Sequence, residues 1–167
     1  ISKSIDVHGK KINYLVWGEI EKPGLFFIHG YSAHAHWWDF VAPAFLKDFC
    51  VAAIDLSGSG DSDHREEYSQ EIFAEEIKAV CDDMQWKNAD FVAHSMGGSI
   101  SLNATSVYPE LFNSLEWVTL FSFMGYFTFN WWRFQAHVLF FRRSMSKTLG
   151  VRSHPQHRWA HHVHDTL

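Results

Sequence analysis

The chain has 167 residues, of which 47% are hydrophobic and 20% are charged. This length and balance are typical of one folded domain with a sizeable core, and they exclude an intrinsically disordered chain. The formal net charge of −5 gives no electrostatic reason to expect a nucleic acid as a partner.

Hydrophobic patterning predicts an opening hairpin followed by alternating strands and helices. Apolar and polar residues alternate on either side of His8-Gly9, which predicts a β-hairpin over residues 3–17. Continuous apolar runs predict three strands buried on both faces, at 25–28, 50–54 and 91–93. A helix is predicted at 38–47 from the spacing of Val41, Ala44 and Phe45. A second is predicted to follow a cap at Ser69 and to reach Met84. A third is predicted from Met96 to Tyr108, where Pro109 ends it.

The strand–helix alternation predicts an α/β fold: a mostly parallel sheet of about six strands with helices on both faces. Ligands of such sheets bind beyond the carboxyl ends of the strands. Three loops follow predicted strands at that edge, namely 29–36, 55–64 and 94–98. We therefore expect the functional site to lie among these loops.

The third loop contains a candidate nucleophile. Ser95 directly follows a buried strand and opens a helix, with small residues two before it (Ala93) and two after it (Gly97). A nucleophilic serine needs a sharp strand-to-helix turn, and small neighbours relieve the crowding there. The amide of Met96 would then face a developing oxyanion, although a serine that merely caps the helix is an equally available interpretation.

The first loop contains a candidate second donor for the same oxyanion. His29-Gly30-Tyr31 follows a buried strand, and acyl transfer requires a further amide from such a loop. We expect Gly30 to let the backbone turn and the amide of Tyr31 to be the donor. The side chain of His29 is expected to brace the loops. The middle loop, taken alone, indicates only a turn.

Taken together, the three loops resemble one known superfamily. The motifs are His29-Gly30, Asp55-x-x-Gly58-x-Gly60-x-Ser62-Asp63 and Ala93-His94-Ser95-Met96-Gly97-Gly98. In this order they resemble the α/β-hydrolase fold superfamily over residues 5–116, as its N-terminal half. The segment Ala35-His36-Trp37-Trp38-Asp39 is similar to bacterial esterase-like serine hydrolases.

The resemblance implies hydrolysis of a carboxylic ester or related small acyl compound through an acyl-serine intermediate at Ser95. Met96 and Tyr31 would supply the oxyanion amides. His94, His36 and Trp37 would contact the substrate. No metal and no organic cofactor is implied. A serine nucleophile argues against dehalogenase and epoxide-hydrolase chemistry, for which relatives use an aspartate.

The acid and base of the family's triad have no counterpart in family context. A histidine must take the serine proton and a carboxylate must orient it, and both follow the serine along the chain. The acids after Ser95 are Glu110, beside Pro109, Glu116, expected just before the next strand, and Asp165, after the last histidine. An unassisted serine is a weak nucleophile, so this chain is expected to be catalytically incomplete.

The composition changes abruptly after residue 116. Residues 1–116 carry 8 Lys/Arg and 18 Asp/Glu, whereas residues 117–167 carry 6 Lys/Arg and one acid, with 12 of the 28 aromatic residues and 6 of the 12 His. The second segment can be interpreted as a cap, as a membrane contact through 118–141, or as a frameshifted or wrongly assigned tail. We favour the tail over the cap, and both over the membrane contact.

Five histidines near the end of the chain raise a zinc hypothesis, since His157 and His161 could share a helix face. They lack the glutamate of a metalloprotease motif, so a polar tail is the preferred interpretation. The same holds for His34-Ala35-His36, which is expected to be a loop.

The chain termini and the cysteines point to the compartment. The first residues contain neither a starting Met nor the apolar core of a signal peptide. We therefore expect a piece of a longer chain that stays in the cytoplasm. Cys50 and Cys81 lie in apolar segments and are expected to be buried free thiols of a reducing compartment.

Two classes of function follow from these observations. The first is a serine hydrolase, with Ser95 as its nucleophile. The second is a binding or interaction protein that keeps the fold without a working triad. The sequence does not specify an oligomeric state.

Overall fold

Six strands and two α-helices make up the part of the chain that the structure, a computed structural model, describes, which is residues 1–118. The strands are β1 (Ser2–Val7), β2 (Lys10–Trp17), β3 (Gly24–Ile28), β4 (Cys50–Ile54), β5 (Ala89–His94) and β6 (Phe112–Val118). The α-helices are α1 (Gln70–Asp83) and α2 (Met96–Val107). Short 3-10 helices span Ala35–Trp38, Ala42–Phe45 and Pro109–Leu111.

The strands form a single mostly parallel sheet in the order β1-β2-β4-β3-β5-β6. β1 and β2 form the predicted hairpin, and β2 also pairs antiparallel with β4. The pairs β3–β4, β3–β5 and β5–β6 are parallel. The α/β fold class and the parallel sheet expected from the strand–helix alternation are confirmed.

Both faces of the central strands are covered, which explains why their sequences are continuously apolar. All residues of β3 and β4 are buried. Phe26 faces α1 and α2 and contacts Phe91, with ring centroids 5.4 Å apart. Phe27 points to the opposite face, where the ring of Trp38 stacks on it at 4.6 Å and Phe45 lies edge-on at 5.8 Å.

The parallel register aligns the ends of the central strands. Ile28 pairs with Ile54 of β4 and with Ala93 of β5, so the three strands end in one row. The three loops that follow therefore start at the same edge of the sheet. This is the arrangement from which the site was predicted.

The helix predicted at 38–47 is wrong. The chain there forms the two 3-10 helices Ala35–Trp38 and Ala42–Phe45, and the Val41 amide donates to the Trp38 carbonyl, three residues back. Pro43 supplies the physical reason, because it has no N–H and its ring would clash with the carbonyl of Asp39 in a continuous α-helix.

The last described strand begins earlier than expected, since Glu116 lies inside β6 and not before it. The pairing of β5 and β6 shifts register by a bulge, with Ala89 opposite Phe112 but Asp90 opposite Ser114. A bulge breaks the period of two, so the strand does not show simple alternation in the sequence. β6 thereby crosses the compositional boundary between residues 116 and 117. The division into two segments stays a prediction, because residues 119–167 lie outside the described part.

Both cysteines are free and buried, as predicted. Cys50 lies in β4 and Cys81 in α1, and burial raises the pKa of the Cys81 thiol to about 12. No helix within residues 1–118 is long and apolar enough to cross a membrane. The suggested membrane contact over 118–141, apart from Val118, and the terminal histidines lie outside the described residues.

The cap of α1 is open to a direct test. The Ser69 hydroxyl accepts a hydrogen bond from the Ile72 amide at 3.2 Å, as predicted for an N-cap. Ser69→Ala should lower the free energy of unfolding by about 1 kcal/mol, because one helix amide loses its partner. Urea denaturation measures this difference. Ser69→Asn, which keeps a capping oxygen, should stay close to the parent, and equal losses in both variants would contradict the capping role.

Candidate active site

The turn at Ser95 has the geometry that a nucleophile requires. Ser95 has φ 50° and ψ −114°, a conformation that residues with a Cβ rarely adopt. Its side chain makes no capping hydrogen bond to α2. Ser95 thus occupies the N-cap position without using its hydroxyl as a cap. This is a strained strand-to-helix turn with a partly exposed serine.

β6 holds this strained residue from one side. The Ser95 amide donates to the Val118 carbonyl at 2.9 Å, and the Ser95 carbonyl accepts from the Trp117 indole N–H at 3.0 Å. The same carbonyl accepts the amide of Gly98 at 3.0 Å. Both backbone groups of Ser95 are thus satisfied, which allows the unusual dihedral angles to persist.

Close packing between the first loop and the segment around Ser95 explains two of the glycines. A Cβ on Gly97 would lie 2.4 Å from the carbonyl oxygen of His29, and a Cβ on Gly30 would lie 2.6 Å from Nδ1 of His94. The first loop and the start of α2 are therefore in direct contact. Gly30 was expected to serve a turn, but its φ is not in the left-handed region. It is needed for space instead.

His29 braces the loops, as predicted. It is completely buried, and its Nε2 accepts a hydrogen bond from the Leu56 amide at 3.1 Å. Nδ1 therefore carries the proton and donates to the carbonyl of Gly30 at 2.8 Å. Burial lowers the pKa of His29, so the neutral form that these two bonds require is favoured.

Asp55, at the start of the middle loop, is a buried carboxylate with several donors. Its Oδ1 accepts from the Ala35 amide at 2.6 Å. Its Oδ2 accepts from Asn13 Nδ2 at 2.9 Å and from the Asp61 amide at 3.0 Å. Only 1% of Asp55 is exposed. The middle loop is therefore more than the simple turn its sequence indicated.

A buried ion pair holds the rest of the middle loop against α1. Arg65 Nε lies 2.9 Å from Glu76 Oε1, and the other carboxylate oxygen accepts from the Ser57 amide at 3.0 Å. Arg65 also donates through Nη2 to the carbonyl of Val7 at 2.9 Å. Asp55 opens one of the three sequence motifs, but neither its hydrogen bonds nor this ion pair was predicted from the sequence. The signal that was available is a glutamate on the inward side of an amphipathic helix.

Of the three side chains expected to contact the substrate, two come together. The rings of His94 and Trp37 have centroids 4.8 Å apart. His94 is half-buried, its Nδ1 has no hydrogen-bond partner among the described residues, and burial lowers its pKa. His36 is exposed and its Nδ1 lies 3.0 Å from Asp39 Oδ2 instead.

The two residues predicted to supply oxyanion amides flank the contact between the first loop and α2. Met96 is the first residue of α2, immediately before Gly97. Tyr31 follows Gly30 directly, and its side chain is 81% exposed. The contacts of Gly97 with His29 and of Gly30 with His94 bring these two chain segments side by side. Their role as oxyanion donors stays a prediction.

No described histidine is hydrogen-bonded to the Ser95 hydroxyl, and within residues 1–118 no three His, Cys, Asp or Glu side chains form a group that could hold a metal ion. Glu110, one of the acids considered for a triad, is exposed in a 3-10 helix. Glu116 pairs with Val92 in the middle of the β5–β6 ladder. Within residues 1–118, neither a base nor an acid of the family's triad lies beside Ser95.

Two open grooves lie elsewhere on the described surface. One is lined by residues around Trp86 and Gly24, and the other by residues around Trp17 and Leu46. Both are at the edge where the parallel strands begin, away from Ser95. The strained serine and its supporting loops are at the other edge of the sheet. The candidate site is therefore located by these residues and not by a groove.

The fold and this site define a hydrolase family. A family model described as alpha/beta hydrolase fold matches residues 23–142. The chain belongs to the α/β-hydrolase fold family.

Individual relatives span several activities. The mouse "Serine hydrolase-like protein" is 30% identical over 103 residues, which are 60% of this chain and 33% of the relative. The human "Epoxide hydrolase 4" is 28% identical, over 62% of this chain and 29% of the relative. The solved thioesterase domain from the curacin biosynthetic pathway superposes with a TM-score of 0.65 at 30% identity, covering 70% of this chain and 44% of that chain. The chain matches about a third of the length of these curated relatives.

Gly97 should not tolerate a side chain. In Gly97→Ala the new Cβ would meet the carbonyl oxygen of His29, a backbone atom that cannot rotate away. We expect the free energy of unfolding to fall by about 1–3 kcal/mol, the usual cost of overpacking. Urea denaturation measures the loss, with Ser99→Ala on the exposed side of α2 as the control. A Gly97→Ala variant as stable as the control would show that the two segments can separate freely.

The buried histidine should make stability depend on pH. Because the pKa of His29 is lowered in the folded protein, the unfolded chain binds more protons than the folded chain once the pH falls below the ordinary value of 6.5. The free energy of unfolding should therefore decrease from about pH 7.5 to about pH 5.5. His29→Gln should show a smaller decrease, whereas His64→Gln, at an exposed residue, should keep the parent's. Urea denaturation at the two pH values gives the comparison, and equal decreases in all three proteins would refute the assignment.

Proposed function

We propose that this chain carries the nucleophile of a serine hydrolase that cleaves carboxylic esters or related acyl compounds. In the proposed reaction the Ser95 hydroxyl oxygen attacks the acyl carbonyl carbon and loses its proton. The alcohol or thiol leaves with a proton, and water then hydrolyses the acyl-serine to release the acid and restore the hydroxyl. No base lies among the described residues, so the proposal includes a base supplied from outside residues 1–118, and the activation of Ser95 in this chain is what the labelling experiment below tests.

The observation that carries the proposal is the backbone conformation of Ser95. A serine with φ 50° and ψ −114° is strained, and its hydroxyl is not used to cap the helix that it opens. Strain of this kind costs of the order of 1–3 kcal/mol and persists mainly at functional sites. A serine retained there, at the carboxyl edge of a parallel sheet, is best explained by nucleophilic catalysis.

The surroundings of Ser95 suit the charge that acyl transfer develops. The N-terminus of α2 starts at Met96, and the aligned peptide dipoles favour negative charge at that end. We propose the amides of Met96 and Tyr31 as the two donors to the oxyanion. The ring pair of His94 and Trp37 offers an apolar wall for the substrate beside them.

A serine nucleophile suits acyl transfer better than epoxide hydrolysis, the activity that the name of one relative gives. A serine that opened an epoxide would become an ether, and water does not cleave an ether under enzymatic conditions. An acyl-serine, by contrast, is an ester that water hydrolyses. The nucleophile at position 95 therefore favours acyl substrates, in line with the thioesterase domain among the similar structures.

A second function stays open because no described histidine contacts the Ser95 hydroxyl. In that case the chain would keep the fold to bind a small molecule or another protein, without catalysis. The strained serine would then be a remnant of an active ancestor. A reactivity test distinguishes the two functions.

Labelling by a fluorophosphonate tests the nucleophile. The reagent phosphonylates activated serines, so the parent protein should be labelled at Ser95, as located by peptide mass spectrometry. Ser95→Ala should reduce the labelling to background. Ser99→Ala, which removes an exposed hydroxyl four positions further along, should be labelled as the parent is. Absence of labelling in a folded parent would defeat the hydrolase proposal and leave the binding function.

A further inference from the structure

Both ends of the first loop are held by two adjacent residues of the middle loop. At the beginning of the loop, His29 Nε2 accepts the amide of Leu56 at 3.1 Å. At its end, the amide of Ala35 donates to Asp55 Oδ1 at 2.6 Å. The five residues between these anchors include Tyr31, whose amide is one of the two proposed oxyanion donors.

Asp55 is itself held firmly enough to act as such an anchor. Its amide donates to the Asn13 carbonyl at 2.9 Å, and its other carboxylate oxygen accepts from Asn13 Nδ2 and the Asp61 amide. The Asp55 carbonyl accepts the Ser62 hydroxyl at 2.6 Å. These partners lie in β2 and in the middle loop, so the position of the carboxylate is set by the sheet and not by the loop that it holds.

We propose that Asp55 is a positioning residue for the oxyanion site, acting through the hydrogen bond to the Ala35 amide. This inference rests on the proposed function of Ser95. Asp55 does not touch the reacting atoms. It determines where the amide of Tyr31 lies relative to the nucleophile, since the loop is anchored at Ala35 on one side and at His29 on the other.

The chemistry of the site explains why a carboxylate is required. Asp55 receives three N–H donors on two oxygens and donates nothing itself. An asparagine of the same shape must turn its NH₂ group toward one of them. If the NH₂ group faced Asn13 and Asp61, two hydrogen bonds would be lost. If it faced Ala35, only one would be lost. Asp55→Asn is therefore expected to release the loop at Ala35 and to keep the other contacts.

A second substitution breaks the same bond from the opposite side. Ala35→Pro removes the donating N–H. The backbone at this position suits proline, because Ala35 is the first residue of a 3-10 helix and His34 before it is extended, with φ −154° and ψ 174°. Ala35 is fully buried, so the ring carbon that replaces the N–H would also push this end of the loop away from Asp55. Asp90→Asn is the matched control. Asp90 also accepts two side-chain hydrogen bonds, from Asn113 and Ser114, but it lies near the start of β5, at the far edge of the sheet.

The test compares fluorophosphonate labelling and hydrogen exchange in these variants of the full chain. In Asp55→Asn and Ala35→Pro the maximal rate of Ser95 phosphonylation should fall by up to about 100-fold, the size of effect expected when a catalytic group is misplaced. The reagent concentration at half-maximal rate should change less than about twofold. Amide exchange over residues 30–34 should accelerate in both variants. Asp90→Asn should match the parent in every measurement.

The outcomes separate the two proposals. A folded parent that is not labelled overturns the proposed function, and the positioning role with it. A labelled parent with Asp55→Asn and Ala35→Pro equally reactive overturns the positioning role alone, as does unchanged exchange over residues 30–34. If Asp55→Asn does not fold, Ala35→Pro decides. If neither folds, Asp55 serves the fold, and the positioning role is refuted.

Discussion

The strained backbone at Ser95 is the constraint on which the rest of the site depends. A residue with a Cβ remains in this conformation only where its surroundings hold it, and here two residues at the end of β6 do so. The amide of Ser95 is bonded to Val118, and its carbonyl to the indole of Trp117. The turn at Ser95 is therefore complete only when β6 is paired along β5. The conformation of Ser95 thus depends on residues that follow it by more than 20 positions in the sequence.

Buried polar contacts explain how the three loops form one unit. The aligned ends of β3, β4 and β5 bring the loops to one edge, but alignment alone would leave them free to move. Buried polar groups remove that freedom. The imidazole of His29 joins the first loop to the middle loop, and the Glu76 carboxylate joins the middle loop to α1. Each of these groups is fully buried and hydrogen-bonded, as buried polar groups must be.

How much of this could be predicted from sequence follows from the range of each interaction. The turn at Ser95 and the strands β3 and β4 were predictable because short contiguous patterns encode them. The helix at 38–47 was predicted wrongly because the apolar spacing outweighed Pro43, which breaks the helix. The start of β6 was missed because a bulge at the beginning of the strand disturbs the alternation.

The buried carboxylates were missed for a different reason. Asp55 meets Ala35, which is 20 residues away, and Asn13, which is 42 residues away. The motif that begins at Asp55 and the helix position of Glu76 single out these two residues, but neither pattern identifies the hydrogen-bond donors that the carboxylates meet. Only the folded sheet supplies the partners. The fold class was thus accessible from the sequence, while the polar contacts that hold the site loops in place were not.

The two buried thiols can report how often the core of this protein becomes exposed to solvent. Cys50 lies in the central strand β4 and Cys81 in α1, so an alkylating reagent in water reaches them only when the sheet and helix separate. Burial also raises the pKa of both thiols, which keeps them protonated and unreactive in the closed state. The rate of alkylation therefore measures how often the core is exposed. A single mass spectrum can then tell a protein that is inert because it is folded without a working site from one that is inert because it has come apart.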